Sequence, residues 1–220
     1  MRAKKKPIGA PVGPRAANVA ETKEKILRAA IDQFAQNGFA GARIDVICEM
    51  AGVNARMIYH YYDDKAGLYV AVLEHVLGQL RTEELKLDVT TSEPLEGLIS
   101  MFNFTFEHFS RHPELIRLLS AENLEEAKFL KESIATPTVA SPVLDQIGTL
   151  LKRGQAQGTI RAGIPPLHLY VTMVALAYFH KSNGYTLAAI FDKRVLSKPW
   201  QNEHYSMARE ILATYLKKPA

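Results

Sequence analysis

The feature that most constrains this chain is a helical repeat that runs almost without interruption. From Thr22 to Tyr215 apolar side chains return at three- and four-residue steps, and no stretch shows sustained strand alternation. Ile26, Leu27, Ala30, Ile31, Phe34 and Ala35 form one stripe, which Asn37-Gly38 should stop. Ile44, Ile47, Cys48 and Ala51 form a second, interrupted by Gly52. Asn54 is placed to cap a short helix from about Ala55 to Tyr61, and Asp63 or Asp64 to cap one bearing Leu68, Val72, Leu73, Val76, Leu77 and Leu80. Ser92-Glu93-Pro94, Pro113, Pro142 and Pro165-Pro166 read as helix starts. They open helices carrying Leu98 to Phe109, Leu115 to Asn123, Val143 to Gly154 and Leu167 to Phe179, the third ending near Gly158 and the fourth at Asn183-Gly184. A less regular piece spans Phe129 to Pro137, and Tyr205, Ala208, Ile211, Leu212 and Tyr215 mark a last helix. The expectation is an all-α chain of nine or ten helices.

Charge excludes a strongly basic body. The formal net charge is +4, but residues 1–20 carry five bases and no acid. Residues 21–65 carry six bases and seven acids, and the rest is balanced. The start of the chain, poor in large apolar side chains, reads as a mobile basic arm over residues 1–20. Such an arm can reach a minor groove or simply solvate the protein. The basic start is not followed by an apolar run, and Leu169 to Phe179 is far short of the ~20 residues a membrane helix needs. A cytoplasmic protein without membrane or cofactor is expected. Cys48 is the only cysteine, which leaves no internal disulfide and makes a reducing compartment the natural reading. On the apolar face of its helix it reads as filler rather than as a redox sensor. His108 and His112 stand at a spacing that can bind zinc, but the sequence places no third ligand, so no metal site is expected.

Residues 43–62 combine a helix, a glycine turn and a helix too short to be a core element. That second helix is dense in polar and aromatic groups: Asn54, Arg56, Tyr59, His60, Tyr61 and Tyr62. In a DNA-binding helix-turn-helix the start of the second helix reaches base edges. An Arg56 guanidinium fork matches the O6/N7 pair of guanine, while tyrosine and lysine groups suit phosphate oxygens. The bland alternative is a helical hairpin with packed aromatics, or a short helix that contacts protein.

The order of residues adds a resemblance. Thr22, Ile26-Leu27, Ala29-Ala30, Phe34, Gly38-Phe39, Ile47, Ala51-Gly52-Val53, Tyr59 and Lys65 with Leu68 resemble the N-terminal domain of TetR-type transcriptional regulators, from about Thr22 to Val76. His112-Pro113-Glu114-Leu115 and Gly158-Thr159-Ile160-Arg161 loosely resemble the subgroup that includes the pyrimidine-utilisation regulator. The resemblance implies a three-helix DNA-binding head over residues 21–81 and a helical effector-binding and dimerisation body over 82–220. By position it implies DNA contacts from Arg43, Asn54, Ala55, Arg56, Tyr59, His60, Tyr61 and Lys65. Arg43 departs from the usual Thr or Ser, which removes a cap, and Asn54 from a usual Ser.

Expected partners are a double-stranded DNA operator, a second copy of the chain and a small-molecule effector, with the chain acting as a repressor. Phe102, Thr105, Phe106, Phe109, Glu122, Asn123, Tyr170 and Met173 are the candidates for an effector pocket, where polar groups meet an apolar cavity. The aromatic stripe among them, Phe102, Phe106 and Phe109, is most economically plain core. The helix from Leu167 to Phe179 is apolar on nearly every face, so it is either central to its own domain or covered by a partner. For the second case Ile147, Leu150, Leu151, Leu167, Val171, Val174 and Tyr178 are the interface candidates. The rival reading is a helical enzyme or small-molecule-binding protein without DNA binding; no nucleophile–base pair or metal triad has the spacing for catalysis.

Overall fold

The computed structural model describes residues 14–87, 89, 91–133 and 136–219; most of the expected arm lies outside the described residues. The helices run in the order α1 (Pro14–Gly41), α2 (Ile44–Ala51), α3 (Ala55–Tyr62), α4 (Lys65–Glu84), α5 (Pro94–Arg111), α6 (Pro113–Leu124), α7 (Thr136–Ala156), α8 (Pro166–Ser182), α9 (Gly184–Ile190) and α10 (Lys198–Leu216). Single 3-10 turns cover Leu130–Glu132 and Lys193–Leu196. Among the described residues there is no strand, only an isolated bridge between Ile160 and Lys217.

Three boundaries differ from the sequence reading. Residues 14–20 are helical rather than part of an arm, because Pro14 fits a first helical position and the alanines after it carry high helix propensity. The stop at Gly38 is real in the backbone (φ 65°, ψ 179°), yet one more turn follows to Gly41. Pro142 does not start α7 but sits inside it, six residues after Thr136. A proline deletes one backbone donor, and the turns on either side can continue. The short α9 was not expected: seven residues give too few turns to display a period.

The chain divides into two compact units, residues up to Val72 and from Leu73 onward. The change therefore falls inside α4, nearer its start than the expected boundary at residue 81. In the first unit Ile26, Phe34, Ile47, Ile58, Leu68, Tyr69 and Val72 are fully buried. Tyr69 sets its edge against Phe34 at 4.8 Å and tilts against Phe39 at 5.4 Å, which locks the start of α4 onto α1. In the second unit α5 is the central helix, touching α6, α7, α8 and α10. It buries Leu98, Ile99, Met101, Phe102, Phe106 and Phe109. The end of α10 is tied to the α7–α8 loop by Arg161 N–H on the Leu216 carbonyl (2.9 Å) and Lys218 N–H on that of Thr159 (3.2 Å).

Candidate nucleic-acid interface

The turn between α2 and α3 is built by Gly52 and Asn54. Gly52 takes a left-handed conformation (φ 66°, ψ 35°), and its N–H closes on the Cys48 and Glu49 carbonyls. Asn54 follows in an extended conformation, and its Oδ1 accepts the Met57 N–H at 3.1 Å. α3 then turns Ile58 fully into the core. Ala55, Arg56, Tyr59 and His60 are exposed, and Tyr61 is half-buried. Four positions spaced i, i+1, i+4 and i+5 share one side of a helix, so α3 presents a single polar and aromatic face.

The flanks hold the remaining candidates. Lys65 Nζ sits 3.4 Å from the Ala40 carbonyl and 5.0 Å from the centre of the Phe39 ring, so its charge is placed at the start of α4. Lys23, which the sequence reading passed over, lies 5.2 Å above the Tyr61 ring and is exposed. The fork of Arg43 closes on Asp45, with Nε 3.1 Å from Oδ1. That hydrogen bond holds the Asp45 carboxyl below its ordinary range. Arg43 would have to exchange this partner for a phosphate. The Tyr62 hydroxyl is buried, and burial pushes its pKa up. Cys48 is buried as well, and desolvation raises its thiol pKa, which suits filler rather than a sensor.

The start of α4 depends on close approach. Asp64 Oδ1 accepts the Gly67 N–H at 2.8 Å. A Cβ on Gly67 would stand 2.1 Å from the Tyr62 carbonyl oxygen. No side chain larger than hydrogen fits between the end of α3 and the start of α4.

In the second unit the expected pocket residues divide. Phe102, Thr105, Phe106, Phe109, Glu122 and Met173 are buried. Much of that burial is self-filling: Phe102 and Phe106 meet edge-on at 6.1 Å, and Tyr205 covers both. The Thr105 hydroxyl donates to the Met101 carbonyl at 2.9 Å. Asn123 is a correction: it is exposed and donates to the Leu119 carbonyl, as a side chain near a helix end can do without any cavity. Tyr170 instead meets Arg81, whose guanidinium also pairs with Glu84. The Glu84 side chain is 2% exposed, and desolvation lifts its carboxyl pKa while Arg81 pulls it back. Glu122 accepts the Leu130 N–H through one oxygen, and its other oxygen is buried without a partner among the described residues.

His180 is a second buried polar group that the sequence reading missed. It lies among Phe106 (5.2 Å), His204 (4.4 Å) and Trp200 (6.2 Å), and among the described residues neither ring nitrogen makes a hydrogen bond of ordinary geometry. Burial, then the neighbouring His204 and Lys181, lower its pKa to about 3. A single polar group in an apolar helix leaves no mark on the period, so nothing in the sequence pointed to it.

The interface candidates also need correction. Ile147, Leu150 and Leu151 are fully buried by their own chain, because α7 packs on α5 and α8, and a partner has nothing left to cover there. Tyr178 turns toward α6, its hydroxyl 2.8 Å from Ser120 Oγ, and Val174 is half-buried. Leu167 and Val171 remain exposed on α8 together with Phe179. On α10, Met207, Ile211 and Tyr215 are likewise exposed, at four-residue steps. A groove of about 300 Å³ lies between the two helices, lined by Ile164, His168, Leu169, Thr172, Ile211 and Tyr215.

Known proteins resemble the chain over both units. Residues 26–72 match the family described as bacterial regulatory proteins, tetR family, and residues 94–212 match the tetracyclin repressor-like C-terminal domain. The transcriptional repressor NicS of Pseudomonas putida is 33% identical over 177 residues, 80% of this chain and 84% of that protein. The transcriptional regulator RutR of Escherichia coli K12 is 31% identical over 157 residues, 71% of this chain and 72% of that one. A TetR-family regulator from Rhodococcus sp. superposes with a TM-score of 0.65 at 20% identity, covering 90% of this chain and all of its own, which is a likeness of fold.

Proposed function

Because the chain belongs to the TetR family of bacterial transcriptional regulators, we propose that it is a cytoplasmic repressor that binds a palindromic operator as a dimer and is released by a small-molecule effector. The observation that carries this reading is the single exposed face of α3, with Ala55, Arg56, Tyr59 and His60 standing out from a core-anchored Ile58. In the major groove that face puts Arg56 on guanine and lets Ala55 approach a thymine methyl. Tyr59, Tyr61 and Lys65 take phosphates, which position the helix without reading sequence. Asn54 contributes chiefly by holding the start of α3 in place. Residues 21–65 carry no net positive charge, so affinity rests on where these few groups stand.

Two copies joined through the α8 and α10 faces would offer two recognition helices. Half-sites about 34–36 Å apart, or a multiple of that spacing, follow from the pitch of DNA. An effector in the second unit releases the operator only if it binds the released conformation more tightly than the DNA-bound one. No described helix is long and apolar enough to cross a membrane.

Selection of bound duplexes from random DNA, with and without a metabolite extract, tests the whole reading. A palindromic sequence should emerge, and the extract should reduce its recovery. Arg56→Ala and Tyr59→Ala should abolish binding to that sequence while leaving the dimer intact. An unaltered affinity in both variants would refute the assignment of α3, and affinity that ignores added salt would point to a protein partner instead.

A further inference from the structure

The end of α4, the end of α5 and the start of α6 bring together three residues that DNA recognition does not use. Glu83 lies in the last turn of α4, His108 in the last turn of α5, and His112 just before α6. Glu83 Oε2 is 3.2 Å from His108 Nδ1. The rings of His108 and His112 stack with centroids 4.3 Å apart. One donor atom from each of the three residues lies within 4.8 Å of the other two. The sequence showed only the histidine pair; the third residue comes from a helix 25 positions earlier.

We propose that Glu83, His108 and His112 form a binding site for a divalent transition-metal ion of the zinc class. Two imidazoles and one carboxylate are the donor set that suits zinc, cobalt or nickel, whereas magnesium and calcium prefer oxygen alone. Tetrahedral zinc with bonds of about 2.0–2.1 Å sets its ligand atoms about 3.4 Å apart. The Glu83–His108 pair already stands at that separation. His112 has to close by up to about 1.4 Å to join it, and its ring is one-third exposed.

The surroundings support the assignment. Glu114 Oε1 is 2.9 Å from His112 Nδ1, so a carboxylate orients that ring and leaves its other nitrogen for a ligand. His108 is buried against Phe104, which fixes its ring at 5.5 Å and excludes solvent from its inner face. Glu83 also borders an open groove of about 500 Å³ along α4, with His75, Gln79 and Thr82 on its wall. That groove gives an ion a way in and a water a way to fill the fourth position. A bound ion would cross-link the end of α4 to the α5–α6 junction.

The test uses the full chain, freed of metal with a chelator and titrated with Zn²⁺ against a chromophoric competitor. One ion per chain is expected, together with a zinc-dependent rise in melting temperature. Co²⁺ should give the intense visible bands of a tetrahedral site. Glu83→Gln and His112→Gln, both at partly exposed positions, should each weaken zinc binding by about a hundredfold or more and abolish the rise in melting temperature. Because His108 is buried and its replacement can unfold the unit, these two variants decide the matter. The proposal is overturned if the wild-type chain takes up no zinc, or if either variant binds it as tightly as the wild type. DNA enters none of these readouts, so the outcome is independent of the repressor reading.

Discussion

Acidifying the protein from pH 7 to pH 5 should cost the second unit about 2 kcal/mol through His180 alone. The imidazole is 4% exposed, and its pKa falls from an ordinary 6.5 to about 3 in the folded state. The unfolded chain therefore takes up a proton over the interval from about pH 6.5 to 3, which the folded chain refuses. Stability is full above the unfolded value and is lost as pH falls toward the folded one, at up to about 1.4 kcal/mol per pH unit. At pH 7 the unfolded imidazole is mostly neutral and the penalty is about 0.2 kcal/mol; at pH 5 it is about 2 kcal/mol. The result barely changes if the folded value lies a unit higher, because pH 5 is still above it. Trp200, the only tryptophan, lies 6.2 Å from His180 and reports unfolding of this region by its fluorescence. Urea titrations at both pH values should show the wild type losing about 2 kcal/mol more than His180→Phe, which has no proton to take up. Equal losses in the two proteins would refute the argument.

Three other perturbations follow from the same geometry. Gly67→Ala pushes a methyl to 2.1 Å from the Tyr62 carbonyl, so the α3–α4 turn should open, with a stability loss of about 3 kcal/mol or more and operator binding lost alongside it. Circular dichroism melts compared with the wild type check this. Asn54→Ala removes the cap on Met57 N–H and should cost about 1 kcal/mol of stability. Changed operator preference with unchanged stability would instead make Asn54 a base reader. Glu84→Ala leaves Arg81 buried with its carboxylate partner gone and Tyr170 beside it, and should cost about 3–5 kcal/mol in urea unfolding. A loss below 1 kcal/mol would mean that water reaches the guanidinium.

How much was legible depended on how far apart the deciding residues stand. The α2–α3 hairpin was readable in full because Gly52, Asn54 and Ile58 act within a few residues of one another. The same locality explains the errors at Pro142 and residues 14–20: a proline or an alanine-rich run has a local preference that the structure can override or extend. Asn123 and Thr105 looked like pocket groups because their types were right. Only the packed structure shows their donors directed at carbonyls four residues back.

The repeat of apolar residues by itself determined an all-α chain, since a helix is closed by bonds between residues four apart, while the short α3 was legible from the polar and aromatic side chains that follow its glycine turn. Tertiary structure alone decided which stripe stays uncovered, placing it on α8 and α10 rather than α7. It also decided that Glu83 meets His108 across 25 residues and that Arg81 meets Tyr170 across 89. The period of a helix says which residues share a face. It does not say which other face they will meet, because that is settled by how many helices compete to cover the same apolar surface.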